Sequence, residues 1–211
     1  MSLVSQILNV KEVSEQNNFE IDKSIFNKIN HTTGAALIKK FETESQIILE
    51  QAVRDLYSEY LSIDFQWSVI ANQKRFYGAF TMIPLEQSLQ YHDELITNYF
   101  ESVEYAYDYP NPEQVLEEIK NFYPIFIFQD GNAFCLDKRN SNIVFYDHSV
   151  FEFYDGNFNG ILIAKDYCDL IEKWSRILFL EQFWWSKDSL NNDGIDLASE
   201  SIAAFMNSVN L

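Results

Sequence analysis

Pro124-Ile125-Phe126-Ile127-Phe128, Ala133-Phe134-Cys135-Leu136-Asp137 and Asn142-Ile143-Val144-Phe145-Tyr146-Asp147-His148 are three short apolar runs in close succession. The first turns through Asp130-Gly131-Asn132 and the second through Lys138-Arg139-Asn140-Ser141. Runs of this length joined by tight polar turns predict an antiparallel meander. Upstream, Ile63, Phe65, Trp67 and Val69 alternate with Asp64, Gln66 and Ser68, the period of a half-buried strand. Arg75 to Ile83 reads as its hairpin partner across Ala71-Asn72-Gln73-Lys74, ending at Pro84.

The flanks read as helical. Asp22 to Ile29 spaces its apolar residues as a helix would, with Gly34 as a stop, in a first stretch of short helices and loops. Ser45 to Leu61 places Ile48, Leu49, Ala52, Val53, Leu56, Tyr57 and Tyr60 at helical spacing, with Ser45 as N-cap. Residues 85–121 look helical but are broken at Tyr109-Pro110-Asn111-Pro112, after which Glu113 to Asn121 begins afresh with Pro112 at its first position. Asp155-Gly156-Asn157-Phe158-Asn159-Gly160 leads into Ile161-Leu162-Ile163. Asp166 caps a long helix with Tyr167, Leu170, Ile171, Trp174, Ile177 and Leu178 on one face, and Ile195 to Val209 is a last helix. With no repeat or low-complexity linker, the 211 residues read as one α+β domain. Its core runs from about residue 20 to 181, followed by a C-terminal helical extension, 182–211.

The charge is strongly unbalanced: 32 acids against 15 Lys and Arg, a formal net charge of −17. Such a chain repels nucleic acid and anionic membrane and attracts basic surfaces. The acid is also concentrated. No Lys or Arg occurs between Arg75 and Lys120, a stretch holding Glu86, Asp93, Glu94, Glu101, Glu104, Asp108, Glu113, Glu117 and Glu118. Tyr91, Tyr99, Phe100, Tyr105, Tyr107 and Tyr109 interleave with them. Acid mixed with Tyr suits an ordered docking surface, because Tyr supplies contact area at low entropic cost. The candidate partner-binding residues are therefore Asp93, Glu94, Tyr99, Glu101, Glu104, Tyr105, Tyr107 and Asp108, with Trp67 from the neighbouring strand.

No stretch approaches the ~18 uninterrupted apolar residues of a membrane span. Met1-Ser2-Leu3-Val4-Ser5-Gln6 lacks the basic-then-apolar pattern of a secretory signal. Cys135 and Cys168 sit in apolar patterns and read as buried reduced thiols, which suits a cytoplasm.

The order of elements resembles the SUKH superfamily, which contains bacterial toxin-immunity proteins and fungal cell-wall-assembly regulators. Three blocks carry the likeness. The first is Val53-Arg54-Asp55-Leu56-Tyr57-Ser58-Glu59-Tyr60 followed by Phe65-Gln66-Trp67-Ser68. The second is Tyr123 to Asp137, with its Asp130-Gly131-Asn132 turn. The third is Ile143-Val144-Phe145-Tyr146-Asp147-His148, followed by Ile163-Ala164-Lys165-Asp166-Tyr167 opening a helix. Leu61-Ser62 stands where the family usually has Asn-Gly, and the chain continues beyond Glu181 as an extension. The resemblance implies an antiparallel sheet with helices packed mainly on one face, used as a protein-binding platform. It implies an antidote that binds and neutralises a cognate toxin, often a nuclease. A regulatory scaffold or adaptor of the same superfamily is the alternative.

Catalytic and metal motifs are thin. Asp147-His148-Ser149 has the letters of a triad, but consecutive strand residues point to opposite faces and cannot converge. His31, His92 and His148 lack zinc spacing, and His92-Asp93-Glu94 reads as a solvated polar run. Ser189-Leu190-Asn191-Asn192-Asp193-Gly194, with Glu200, partly matches a calcium loop, but Ser opens it and Asp196 occupies the apolar position; it reads as a polar loop. Trp184-Trp185 reads as core. The expectation is no catalysis, no cofactor and no metal, with a basic protein as partner.

Overall fold

The computed structural model describes residues 2–105, 112–148, 159–182, 185 and 189–209, and for 100–105 and 112 the backbone alone. Among these, alternation of apolar and polar residues forms a long hairpin, β2 (Tyr60–Ala71) and β3 (Lys74–Met82). Asn72 and Gln73, at φ 50° and 66°, make the two-residue turn, whose left-handed residues match the twist of the strands. The meander follows as β4 (Phe122–Ile127), β5 (Ala133–Asp137), β6 (Ile143–Tyr146) and β7 (Leu162–Ala164).

The sheet gains an unexpected first strand. Residues Asp22 to Ile29 do not form a helix: β1 (Glu20–Lys28) is an edge strand paired antiparallel to β2. Ile21 faces Trp67, a bulge follows, and Ser24 and Phe26 then face Phe65 and Ile63. The bulge breaks the two-residue period, while Ile25, Phe26 and Ile29 stand one and then three residues apart and imitate a helical stripe, although Ile25 is exposed and Phe26 part-buried on the strand. The completed sheet has seven strands in chain order β1 to β7, every neighbouring pair antiparallel.

The remaining elements are helices α1 (Leu3–Gln16), α2 (His31–Ser45), α3 (Gln51–Glu59), α4 (Leu85–Tyr105), α5 (Pro112–Ile119), α6 (Tyr167–Arg176) and α7 (Glu200–Ser208). Gly34 does not stop a helix but lies in the first turn of α2. A Cβ there would come 2.8 Å from the Ser58 backbone, so glycine lets α2 approach α3. Ser45 ends α2 instead of capping the next helix: its hydroxyl donates to Phe41 O and accepts from Ile47 N–H. Gln46, at φ 65°, then turns the chain out of the helix. Asp166 caps α6 as expected, accepting from Asp169 N–H at 2.7 Å. That helix is shorter than its apolar face suggests, because Leu178 and Phe179 both enter the left-handed region. The last helix begins at Glu200, capped by Ser199, five residues later than expected.

Side chains alternate across the sheet and serve two apolar clusters. Phe134, Leu136 and Ile143 join the larger one with Trp67, Phe80, Phe126, Tyr167 and Trp174, together with Leu3 and Ile7 of α1 and Ile202 and Phe205 of α7. Cys135, Val144 and Tyr146 face the other way, meeting Leu95 and Tyr99 of α4 and Val115 and Ile119 of α5. The fold is thus α+β on an antiparallel meander, with α4 and α5 covering the opposite face of β4–β6. Trp185 is part-buried, stacked on Phe134 with centroids 5.7 Å apart; Trp184 lies outside the described residues.

The sheet narrows at its middle. β3 and β4 share one register pair, Met82 with Phe126. Where β4 diverges, the chain after α6 pairs with β3 instead, Ala79 N–H donating to Phe179 O and Glu181 N–H to Tyr77 O. Two indoles fix this turn. Trp67 Nε1 donates to Leu178 O at 2.7 Å, and Trp174 Nε1 to Leu180 O at 2.9 Å.

Candidate protein-binding surface

α4 carries the acidic stretch. Leu85, Ser88, Leu95 and Tyr99 are buried along one stripe, at helical spacing. Glu86, Gln87, Gln90, Asp93, Thr97 and Asn98 are exposed on the opposite side. His92 belongs to the inner side, which corrects the reading of His92-Asp93-Glu94 as a solvated run. It is half-buried, stacks on Tyr123 with centroids 4.1 Å apart, and its Nδ1–H donates to Phe122 O at 2.7 Å. Burial holds its pKa below the usual histidine value, partly offset by the Phe122 carbonyl and Asp93.

Two of the expected contact residues are core residues. Tyr99 is 1 % exposed in the α4–α5 cluster. Trp67, also 1 % exposed, lies between Phe19 and Phe205 over Gly78. Neither can touch a partner in this conformation. Asp93 is exposed and Glu94 half-exposed. Glu101, Glu104 and Tyr105 lie within α4, where the backbone alone is described, while Tyr107 and Asp108 fall outside the described residues.

α5 adds exposed Glu113 and Glu117. Within this layer Glu86 meets Lys40 at 3.0 Å, Glu117 meets Lys120 and Glu118 meets Arg139. Among the described residues, no Lys or Arg pairs with Asp93, Glu94 or Glu113. Of the exposed large apolar side chains, Leu8 and Ile48 stand apart, and three others share the outer face of β1–β3. Ile70 (65 % exposed) lies diagonal to Tyr77 (41 %), and Ile25 (45 %) sits on the same face further along.

Two clefts flank α3. One, of about 330 Å³, lies between α2 and α3 and holds its own cations: Lys39, and Arg54 paired with Glu42 at 2.7 Å. The other, of about 380 Å³, lies between α1, α3 and α6. Beside it Glu50, Asp166 and Cys168 bring their donor atoms within 4.8 Å of one another. Cys168 is not the buried thiol expected: it is half-exposed and donates to Glu50 Oε2 at 3.2 Å. Burial and the adjoining Glu50 and Asp166 carboxylates push its pKa up to about 12. Glu50 and Asp166 precede α3 and α6, so the positive ends of two helices point at this trio. Its geometry is that of a protonated thiol bridging two helix starts.

The remaining candidates are occupied. His148 N–H donates to Asn132 Oδ1 and its ring lies against Gly131; Ser149 is outside the described residues. The Ser189–Gly194 loop folds as a small hairpin, β8 (Leu190–Asn191) and β9 (Gly194–Ile195). Its carboxylates have partners of their own: Asp193 pairs with Lys165 at 2.8 Å on the surface and Asp196 accepts from Ala198 N–H.

A comparison with protein-family models finds no match, and a comparison with curated protein sequences finds none either. No described helix is long and apolar enough to cross a membrane.

Proposed function

We propose that this chain is a protein-binding module, an immunity protein that binds and neutralises a basic, nuclease-type toxin domain. The observation that carries the reading is the outer side of α4–α5, where Asp93, Glu94 and Glu113 form no ion pair with a Lys or Arg among the described residues, on a chain of net charge −17. A row of uncompensated carboxylates speeds encounter with a basic partner and covers a groove evolved for phosphates. The resemblance to the SUKH superfamily supports the same reading, and the partner is a protein, not nucleic acid or a membrane.

The test is association with the toxin domain encoded beside this chain, followed by stopped-flow mixing. Asp93→Lys with Glu113→Lys slows association about tenfold at low salt, and the difference closes as salt rises, since screening acts over ~8 Å at physiological ionic strength. Failure to bind or protect against any adjacent toxin overturns the reading.

A further inference from the structure

The two clefts beside α3 make a natural pair, since Asp55 lines both. The α2–α3 cleft is internally neutralised by Lys39 and Arg54. Among the described residues, no Lys or Arg lines the α1–α3–α6 cleft. Its floor is apolar, made by Leu3 and Val4 of α1 and Ala52 and Leu56 of α3. Its rim is acidic, with Asp55 and Glu59 of α3 facing Glu172 of α6 across the opening, all three exposed. Lys28 reaches Glu59 at 3.8 Å and Arg176 reaches Glu172 at 3.0 Å, both from outside the cleft. Exposed pairs of that kind are worth little and exchange readily.

We infer that the α1–α3–α6 cleft receives a Lys- or Arg-bearing segment of the protein partner, a reading that rests on the proposed function. Long cationic side chains bury their methylenes on apolar surface while the charged head stays at a polar rim. An apolar floor under an acidic rim is the complement of such a side chain. The cleft offers about 380 Å³ of volume, and the two surfaces divide the work. α4–α5 attracts, and the cleft between α1, α3 and α6 holds.

Cys168 lines the cleft and reports on it, because Cys135, the other cysteine, is fully buried. The experiment uses the full chain and a fluorescein-labelled peptide of alternating arginine and leucine, with citrulline replacing arginine in a control. Saturable binding by anisotropy is expected, weakened about tenfold by Glu59→Gln with Glu172→Gln. Removing the same charge through Asp22→Asn with Glu44→Gln, exposed residues of β1 and α2 that neither line the cleft nor lie on α4–α5, changes it less than about twofold. Bound peptide slows alkylation of Cys168, and the citrulline peptide does not. Equal losses in the two double variants, no protection of Cys168, or no saturable binding each overturn the assignment. The toxin domain separates this inference from the broader reading. If it binds the wild type and the Glu59/Glu172 variant equally, the cleft is not its docking site and neutralisation stands. If it binds neither, neutralisation fails and the peptide result alone decides the cleft.

Discussion

The Trp67 neighbourhood and the outer side of α4 both mix aromatic and polar residues, yet they treat polar groups in opposite ways. Around Trp67 the indole N–H is consumed by Leu178 O, and the ring fills the space above Gly78 between Phe19 and Phe205. Along α4 the aromatic Tyr99 is turned inward, and the carboxylate of Asp93 is exposed and forms no ion pair with a Lys or Arg among the described residues. Packing dictates the residue in the first region, and net charge dictates it in the second. Substitutions should therefore unfold the first and change only association in the second.

The sharpest way to break this contrast is Gly78→Ala. A Cβ at Gly78 would sit 2.1 Å from Trp67 Cε2, deep inside the ring. Trp67 would have to leave its place, breaking the bond to Leu178 O and reopening a turn that already holds Leu178 and Phe179 at positive φ. Overpacking together with the lost hydrogen bond predicts a loss of about 3–4 kcal/mol in urea unfolding. A loss below ~1 kcal/mol would mean that this region yields as easily as the surface.

Trp67→Phe comes next. The smaller ring leaves a void and strands the Leu178 carbonyl, for an expected loss of about 2–3 kcal/mol. Combined with Gly78→Ala it should cost less than the sum, because the two changes share one contact. Additivity would show that the indole and the glycine act independently. By contrast, Asp93→Lys should leave stability within ~0.5 kcal/mol of the wild type.

This contrast also explains how far the sequence could be read. β5 falls where the apolar run Ala133–Asp137 placed it, and the β2–β3 hairpin turns at Asn72-Gln73, because a two-residue period and a polar turn are local signals. β1 escaped because its bulge changes the period within one strand. Trp67 and Tyr99 were misplaced by residue type although their phase was informative. Trp67 alternates with Ile63 and Phe65, and Tyr99 stands four residues from Leu95, all of them buried. The cleft was beyond reach for a different reason. It joins Leu3, Leu56 and Glu172, which no periodicity relates and which only tertiary packing brings together.

The smallest effect concerns the seam between the two kinds of surface, where His92 fastens α4 to β4. Burial favours the neutral imidazole in the folded chain, and Asp93 and Lys138 are the charges that face it. Because its native pKa is lowered, the unfolded chain binds the proton first as pH falls through the ordinary histidine value of 6.5. Stability contributed by His92 is then full above that value, declines below it, and levels off beneath the lowered native pKa. His92→Gln keeps a donor for Phe122 O but cannot titrate. The wild type's advantage over this variant in urea midpoint should therefore shrink between about pH 7.5 and about pH 5. Parallel curves across that window would place His92 in solvent, and α4 would then be held by its apolar stripe alone.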